Sequence, residues 1–221
     1  MGLGGRREEA RRAIDLNPSD AEARVAHAEL LWTIGRLDES VQETKRALEL
    51  DPLSINYNVA LAFEFFLARR YDEAIAQGTK TLELDPKYIQ AFYFRGVSYI
   101  KKSMYKEAMA EFEKAISFSP NDLCGLTGLG YGYAVTGKRA DAERVLARLN
   151  ELSRQEFVSP VWMAKIYSGL GDKDKAFDAL ERAYEDRSIV TVAFIKTNPM
   201  LDPFRSDPRF AELLRRTNLQ P

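Results

Sequence analysis

Apolar residues in this chain recur at the three-and-four spacing of a helix face, in short runs broken by polar turns. The clearest stretch is 89–122, IQAFYFRGVSYIKKSMYKEAMAEFEKAISFSPND. Phe92, Gly96 and Tyr99 form one stripe, and Lys102-Ser103-Met104 interrupt it. Ala108, Phe112 and Ala115 form a second stripe, and Pro120 closes the unit. The stretch reads as two amphipathic helices joined by a turn. Pro120 also ends a series, since Pro18, Pro52, Pro86 and Pro120 lie 34 residues apart. A fixed period of this length predicts stacked helix-turn-helix units, each burying its apolar stripe against its neighbours.

Five units keep that register, at 21–54, 55–88, 89–122, 123–156 and 157–188. The eighth place of each carries Ala28, Ala62, Gly96, Gly130 or Ala164, small enough for two helices to cross closely. A large residue stands at the eleventh place: Leu31, Phe65, Tyr99, Tyr133 and Tyr167. The twentieth place returns to small residues, Ser40, Ala74, Ala108, Ala142 and Ala176. Turns inside the pairs fall at Gly35-Arg36, Arg69-Arg70, Ser103-Met104, Gly137-Lys138 and Gly171-Asp172. Arg154 stands where a closing proline is due and predicts a longer or less sharply ended helix. Residues 1–20 hold a second helix and its closing turn without the first helix of the pair. They read as a partial repeat whose preceding part lies outside this sequence, or as an N-terminal helix that caps the stack. After Ser188 the period stops, and 189–221 reads as a C-terminal cap. Within it Ile189–Lys196 is expected to form a short helix on the fifth unit. Asp207-Pro208 starts a last helix whose Phe210, Leu213 and Leu214 face back.

Charge and composition narrow the function. The 221 residues carry 32 Lys and Arg against 33 Asp and Glu, a net charge of −1. The basic stripe of a nucleic-acid binder is missing from this balance. The longest apolar run, Val59–Phe63, breaks at Glu64, far short of the roughly 18–20 residues that span a bilayer. Cys124 is the single cysteine, and no secretory apolar region follows the start, so a reducing, cytoplasmic setting is favoured. His27 is the single histidine and lies three units from Cys124, too far for a Cys–His nucleophile pair. Both read as packing residues. Gly125, Gly128, Gly130 and Gly132 lie in a helical stripe without the strand and Lys-Ser/Thr of a phosphate loop. Close packing accounts for Gly130, and the others predict only a less stable helix. No metal cluster and no cofactor motif is present in the sequence, and the expectation is a protein without enzymatic activity.

The unit at 89–122 resembles the tetratricopeptide repeat. Phe92, Gly96, Tyr99, Ala108, Phe112 and Pro120 occupy the places of its pattern, and Arg95 departs where leucine is usual. The resemblance covers residues 6–188 and implies an all-α, right-handed solenoid of helix-turn-helix repeats with a C-terminal capping helix. It further implies a protein or peptide partner held on the concave face, lined by the second, fifth, ninth and twelfth places of the first helices. Those places carry Val25, Glu29 and Trp32, with Glu22 at the rim, then Asn56, Val59, Phe63 and Phe66. The third unit adds Gln90, Tyr93, Val97 and Ile100, and the last two add Thr127, Tyr131 and Lys165 among others. Relatives that clamp a C-terminal carboxylate carry Lys at the fifth place and Asn at the ninth. Here the fifth places are Val25, Val59, Tyr93, Thr127 and Val161, so that clamp is rejected.

What remains is an apolar, aromatic trough centred on the second and third units. Either it is open and takes a partner segment, or superhelical curvature buries it between neighbouring first helices. An uncovered first stripe on the N-terminal helix, with Ala10, Ala13, Ile14 and Leu16, allows self-association. The tail at 198–216, NPMLDPFRSDPRFAELLRR, is similar to the ends of tetratricopeptide regions in bacterial signalling proteins. That likeness implies an alternative, a regulatory or sensor region detached from a signalling enzyme or transcription regulator.

Overall fold

A computed structural model of the chain describes residues 3–186 and 195–217. All regular structure among the described residues is helical. After α1 (Leu3–Leu16) come five antiparallel pairs: α2 (Ala21–Thr33) with α3 (Leu37–Leu50), and α4 (Ile55–Leu67) with α5 (Tyr71–Leu84). They continue as α6 (Ile89–Lys101) with α7 (Tyr105–Phe118), α8 (Leu123–Val135) with α9 (Arg139–Leu152), and α10 (Pro160–Leu170) with α11 (Lys173–Glu185). A 3-10 segment (Pro199–Phe204) and α12 (Pro208–Arg216) follow. The expected helix over Ile189–Lys196 falls mostly on residues outside those described; 195–197 are helical.

Local chemistry sets these boundaries. Asp20, Ser54 and Asp122 each accept a hydrogen bond from the backbone N–H three residues on, capping α2, α4 and α8. Each pair turns through one residue of positive φ: Gly35 (89°), Arg69 (61°), Ser103 (61°), Gly137 (78°) and Gly171 (71°). Arg69 and Ser103 occupy this left-handed region with a side chain, a conformation that disfavours them relative to glycine. Arg154 does not lengthen its helix. α9 ends at Leu152, and residues 153–159 form a loose turn before Pro160 opens α10 as its first residue.

Packing follows the small places. Ala28, Ala62 and Ala164 are fully buried, as are Ser40, Ala74, Ala108, Ala142 and Ala176 opposite them. The Ser40 hydroxyl donates to the Ala28 carbonyl at 3.0 Å, closing the α2–α3 pair. Phe112 fills the centre. A Cβ added at Gly96 or Gly128 would lie 2.3 Å from its ring, so both glycines exist to admit it. The other glycines of α8 also mark contacts: a Cβ would meet Ile116 at Gly125, Ile166 at Gly130 and Met109 at Gly132. These residues thin a helix wedged between α7 and α10, a role that the sequence showed for Gly130 alone. First helices pack on first helices, closest between α8 and α10, while a cleft of about 540 Å³ separates α3 from α5. The stack therefore bends with its first helices inside.

Candidate functional site

The inner face of that bend is where the trough residues lie. The structure divides them into a rim and a floor. Glu29, Asn56 and Gln90 are exposed, and Val25 and Phe63 are half-buried. Trp32, Val59, Phe66, Tyr93, Val97, Ile100, Thr127, Tyr131 and Lys165 are buried. The floor is a continuous aromatic row. Trp32 meets Phe63 edge-on at 5.2 Å, Phe63 meets Phe94 at 5.3 Å, and Phe94 meets Tyr93 at 5.2 Å. Tyr93 continues to Trp162 at 6.3 Å.

Part of the burial comes from curvature, which packs α6 and α10 on α8, and Val97 and Val161 are buried on those helices. Part comes from an occupant, which the sequence reading did not foresee. Residues 195–204 pack on the fifth unit through Ser168 and Phe177, and from there they also reach across the inner face to earlier units. At one end the Lys196 ammonium donates to the Ile34 carbonyl, 3.2 Å away in the first unit. Lys101 Nζ donates to the Pro199 carbonyl at 2.7 Å, and Ser168 Oγ to the Met200 carbonyl at 2.6 Å. Tyr93 donates to the Met200 sulfur at 3.4 Å. Arg69, at its left-handed turn, pairs with Asp202 at 2.8 Å. Ile195, Met200 and Leu201 are fully buried, and Phe204 stacks on Phe177 at 5.5 Å. α12 then returns to α11, with Arg216 paired to Glu181 and the Arg209 guanidinium over the Phe177 ring. A terminal stripe was legible in Phe210 and Leu213. The strap before it lacks any period that could have revealed it.

Burial tunes the titratable groups here. Lys165 is pushed down to about 7 by burial, with its ammonium 3.9 Å above the Trp162 ring and 3.3 Å from the Tyr93 hydroxyl. Burial raises Cys124 to about 12, which removes it as a nucleophile near neutral pH. Tyr93 and Tyr131 are raised, also mainly by burial. Between the first two units, Glu64 is raised to about 7 by burial, against the lowering effect of the hydrogen bond it accepts from Thr44. His27 is half-buried and lowered by desolvation. It lies beside Arg7, Arg11, Arg24 and Arg36 in an outer cleft of about 590 Å³, far from Cys124. Among the described residues no group of three or more His, Cys, Asp or Glu could hold a metal ion. No helix among them is long and apolar enough to cross a membrane.

Family profiles described as tetratricopeptide repeat match residues 89–122 and 161–185, and another matches 5–55. The chain is a tetratricopeptide repeat protein. No curated protein matches this tetratricopeptide chain. Among solved structures it is similar to MamA, at 20% identity and a TM-score of 0.57, over 69% of this chain and 90% of that one. A MamA double mutant gives 17% identity and a TM-score of 0.57, over 68% and 87%. A third, described as "YrrB: a TPR protein with an unusual peptide-binding site", gives 21% identity and a TM-score of 0.50, over 85% and 97%. At these identities the likeness establishes the fold.

Proposed function

We propose that this tetratricopeptide chain is a protein-interaction module that takes a peptide or helix of a partner protein on its concave face. One observation carries the reading: the face is built to hold a non-repeat segment. Lys101 and Ser168 bond the carbonyls of Pro199 and Met200, contacts that read main chain rather than side chain identity. The aromatic row beneath supplies the apolar surface, and aromatic rings are the usual anchors of such interfaces. The description of YrrB, a protein of the same fold, is in keeping with this use. No step of chemistry is assigned to the face; its cysteine, Cys124, is held as the thiol by burial.

The test is partner capture by the immobilised full chain, compared with Phe63→Lys on the rim and Lys106→Glu on the outer surface. Phe63 is half-buried at the edge of the aromatic row, so the substitution alters the groove where Trp32 and Phe94 meet it, and retained helical content and melting temperature must accompany the comparison. Loss of capture in Phe63→Lys alone, with helical content kept, supports the concave site. Equal capture by all three chains refutes it. Tyr93 does not serve this purpose: it is 2% exposed and packs on Phe112 and Trp162, so its replacement by Lys reports folding.

A further inference from the structure

We infer that the floor of the concave face is a site for short proline-led apolar segments carrying a carboxylate, and that residues 195–204 are its resident competitor. The inference rests on the concave-face reading above and adds the kind of ligand and the condition for its entry. The strap itself shows the chemistry. Pro199 begins a single 3-10 turn, Met200 and Leu201 fill the floor, and Asp202 meets Arg69. Lys101 stands over the same stretch and donates to the Pro199 carbonyl, while the Asp202 carboxylate is shared between Arg69 of the groove and Arg205 of the strap, 2.6 Å away.

The strap fits imperfectly. The Thr197 hydroxyl and the Asn198 side-chain amide nitrogen are buried without a hydrogen-bond partner. Buried polar groups left unpaired oppose seating. A ligand with apolar side chains at those two places, or with groups that bond to each other there, avoids that penalty. The strap also lies outside the repeat matches, which end at residue 185, so the helical pairs do not depend on it for their own pattern.

The experiment uses the full chain and a fluorescent peptide of the sequence from Ile195 to Asp207, followed by anisotropy. Met200→Asp places a charge where the native side chain is fully buried and so unseats the strap. The peptide is expected to bind Met200→Asp at least about tenfold tighter than the native chain, because the tethered strap competes at a high effective concentration. Adding Arg69→Asp should weaken that binding, and a peptide with Asp202→Arg should restore it. Equal affinity for native chain and Met200→Asp overturns the inference. So does absent binding to a Met200→Asp chain that keeps its helical circular dichroism and cooperative melting. Should that chain unfold, Asp202→Arg takes its place with the same expectations; if both unfold, the strap is indispensable interior and the inference falls. Either failure leaves the Phe63→Lys capture assay to decide separately whether partners use the rim.

Discussion

Glu64 offers a direct thermodynamic probe of the stacking between the first two units. Its carboxyl is 2% exposed on α4 and accepts from the Thr44 hydroxyl of α3 at 2.7 Å. Burial lifts its pKa from 4.5 to about 7, and the negative charge of Glu29 adds to the rise. The folded chain thus binds this proton more tightly than the unfolded chain. Between pH 4.5 and about 7 the folded state holds more protons, so stability falls as pH rises and levels off above that window. A rise of this size corresponds to about 3 kcal/mol lost by pH 8. In Glu64→Gln the amide oxygen still accepts from Thr44, and no charge forms. The assay is thermal unfolding of both chains from pH 4.5 to 8, read as the difference between them. That difference cancels His27 and Glu111, which also shift but are not coupled to Glu64. The native chain is expected to lose melting temperature relative to the variant across the window, by roughly 6–12 °C. Parallel curves would refute the claim that Glu64 folds in as a neutral acid.

Three further outcomes follow from packing and charge. Gly128→Ala should destabilise by about 1–3 kcal/mol, because its Cβ would lie 2.3 Å from the Phe112 ring; denaturant unfolding checks it, and Phe112→Leu in the same chain should recover part of the loss. Ser103→Gly should stabilise by up to about 1 kcal/mol, since Ser103 holds φ at 61° at an exposed turn; an unchanged midpoint would show the turn to be unstrained. For Lys165, burial lowers the folded pKa from 10.5 to about 7, so the unfolded chain binds more protons between those values and stability rises with pH there. Lys165→Met should flatten that rise in melting curves taken from pH 7 to 10.

The repeat was legible because its determinants are local. Ala28 and Ser40, or Gly96 and Phe112, meet within one pair, and the same spacing recurs until the signal exceeds chance. The turn at Gly35 could likewise be read from one residue type, and Arg69 and Ser103 follow it by register. Of the α8 glycines only Gly130 was legible as a packing device; Gly125, Gly128 and Gly132 were not, because each answers a bulky side chain on another helix: Ile116, Phe112 or Met109. The strap was harder still. Its contacts join residues 162 apart between Lys196 and Ile34, and 107 apart between Tyr93 and Met200. A segment with Pro199 and Pro203 shows no helical or alternating pattern, so nothing in its own composition says which surface receives it.

That surface explains why the strap lies where it does. Left bare, Trp32, Phe63, Phe66, Tyr93 and Ile100 would form a contiguous apolar patch beyond the few hundred Å² that a lone soluble chain exposes. Burying Ile195, Met200, Leu201 and Phe204 contributes about 6–12 kcal/mol, and the polar links to Lys101, Ser168, Lys196 and Arg69 add about 2–6. Ordering the ten residues from 195 to 204 costs about 10–20 kcal/mol, so the strap's own terms nearly cancel. What holds it in place is then the surface it covers. Any segment that covers the same rings and satisfies Arg69 and Lys101 competes for that contribution on equal terms. On the proposed reading, one aromatic row acts as interior while the strap is seated and would become the recognition surface once a partner segment replaced it.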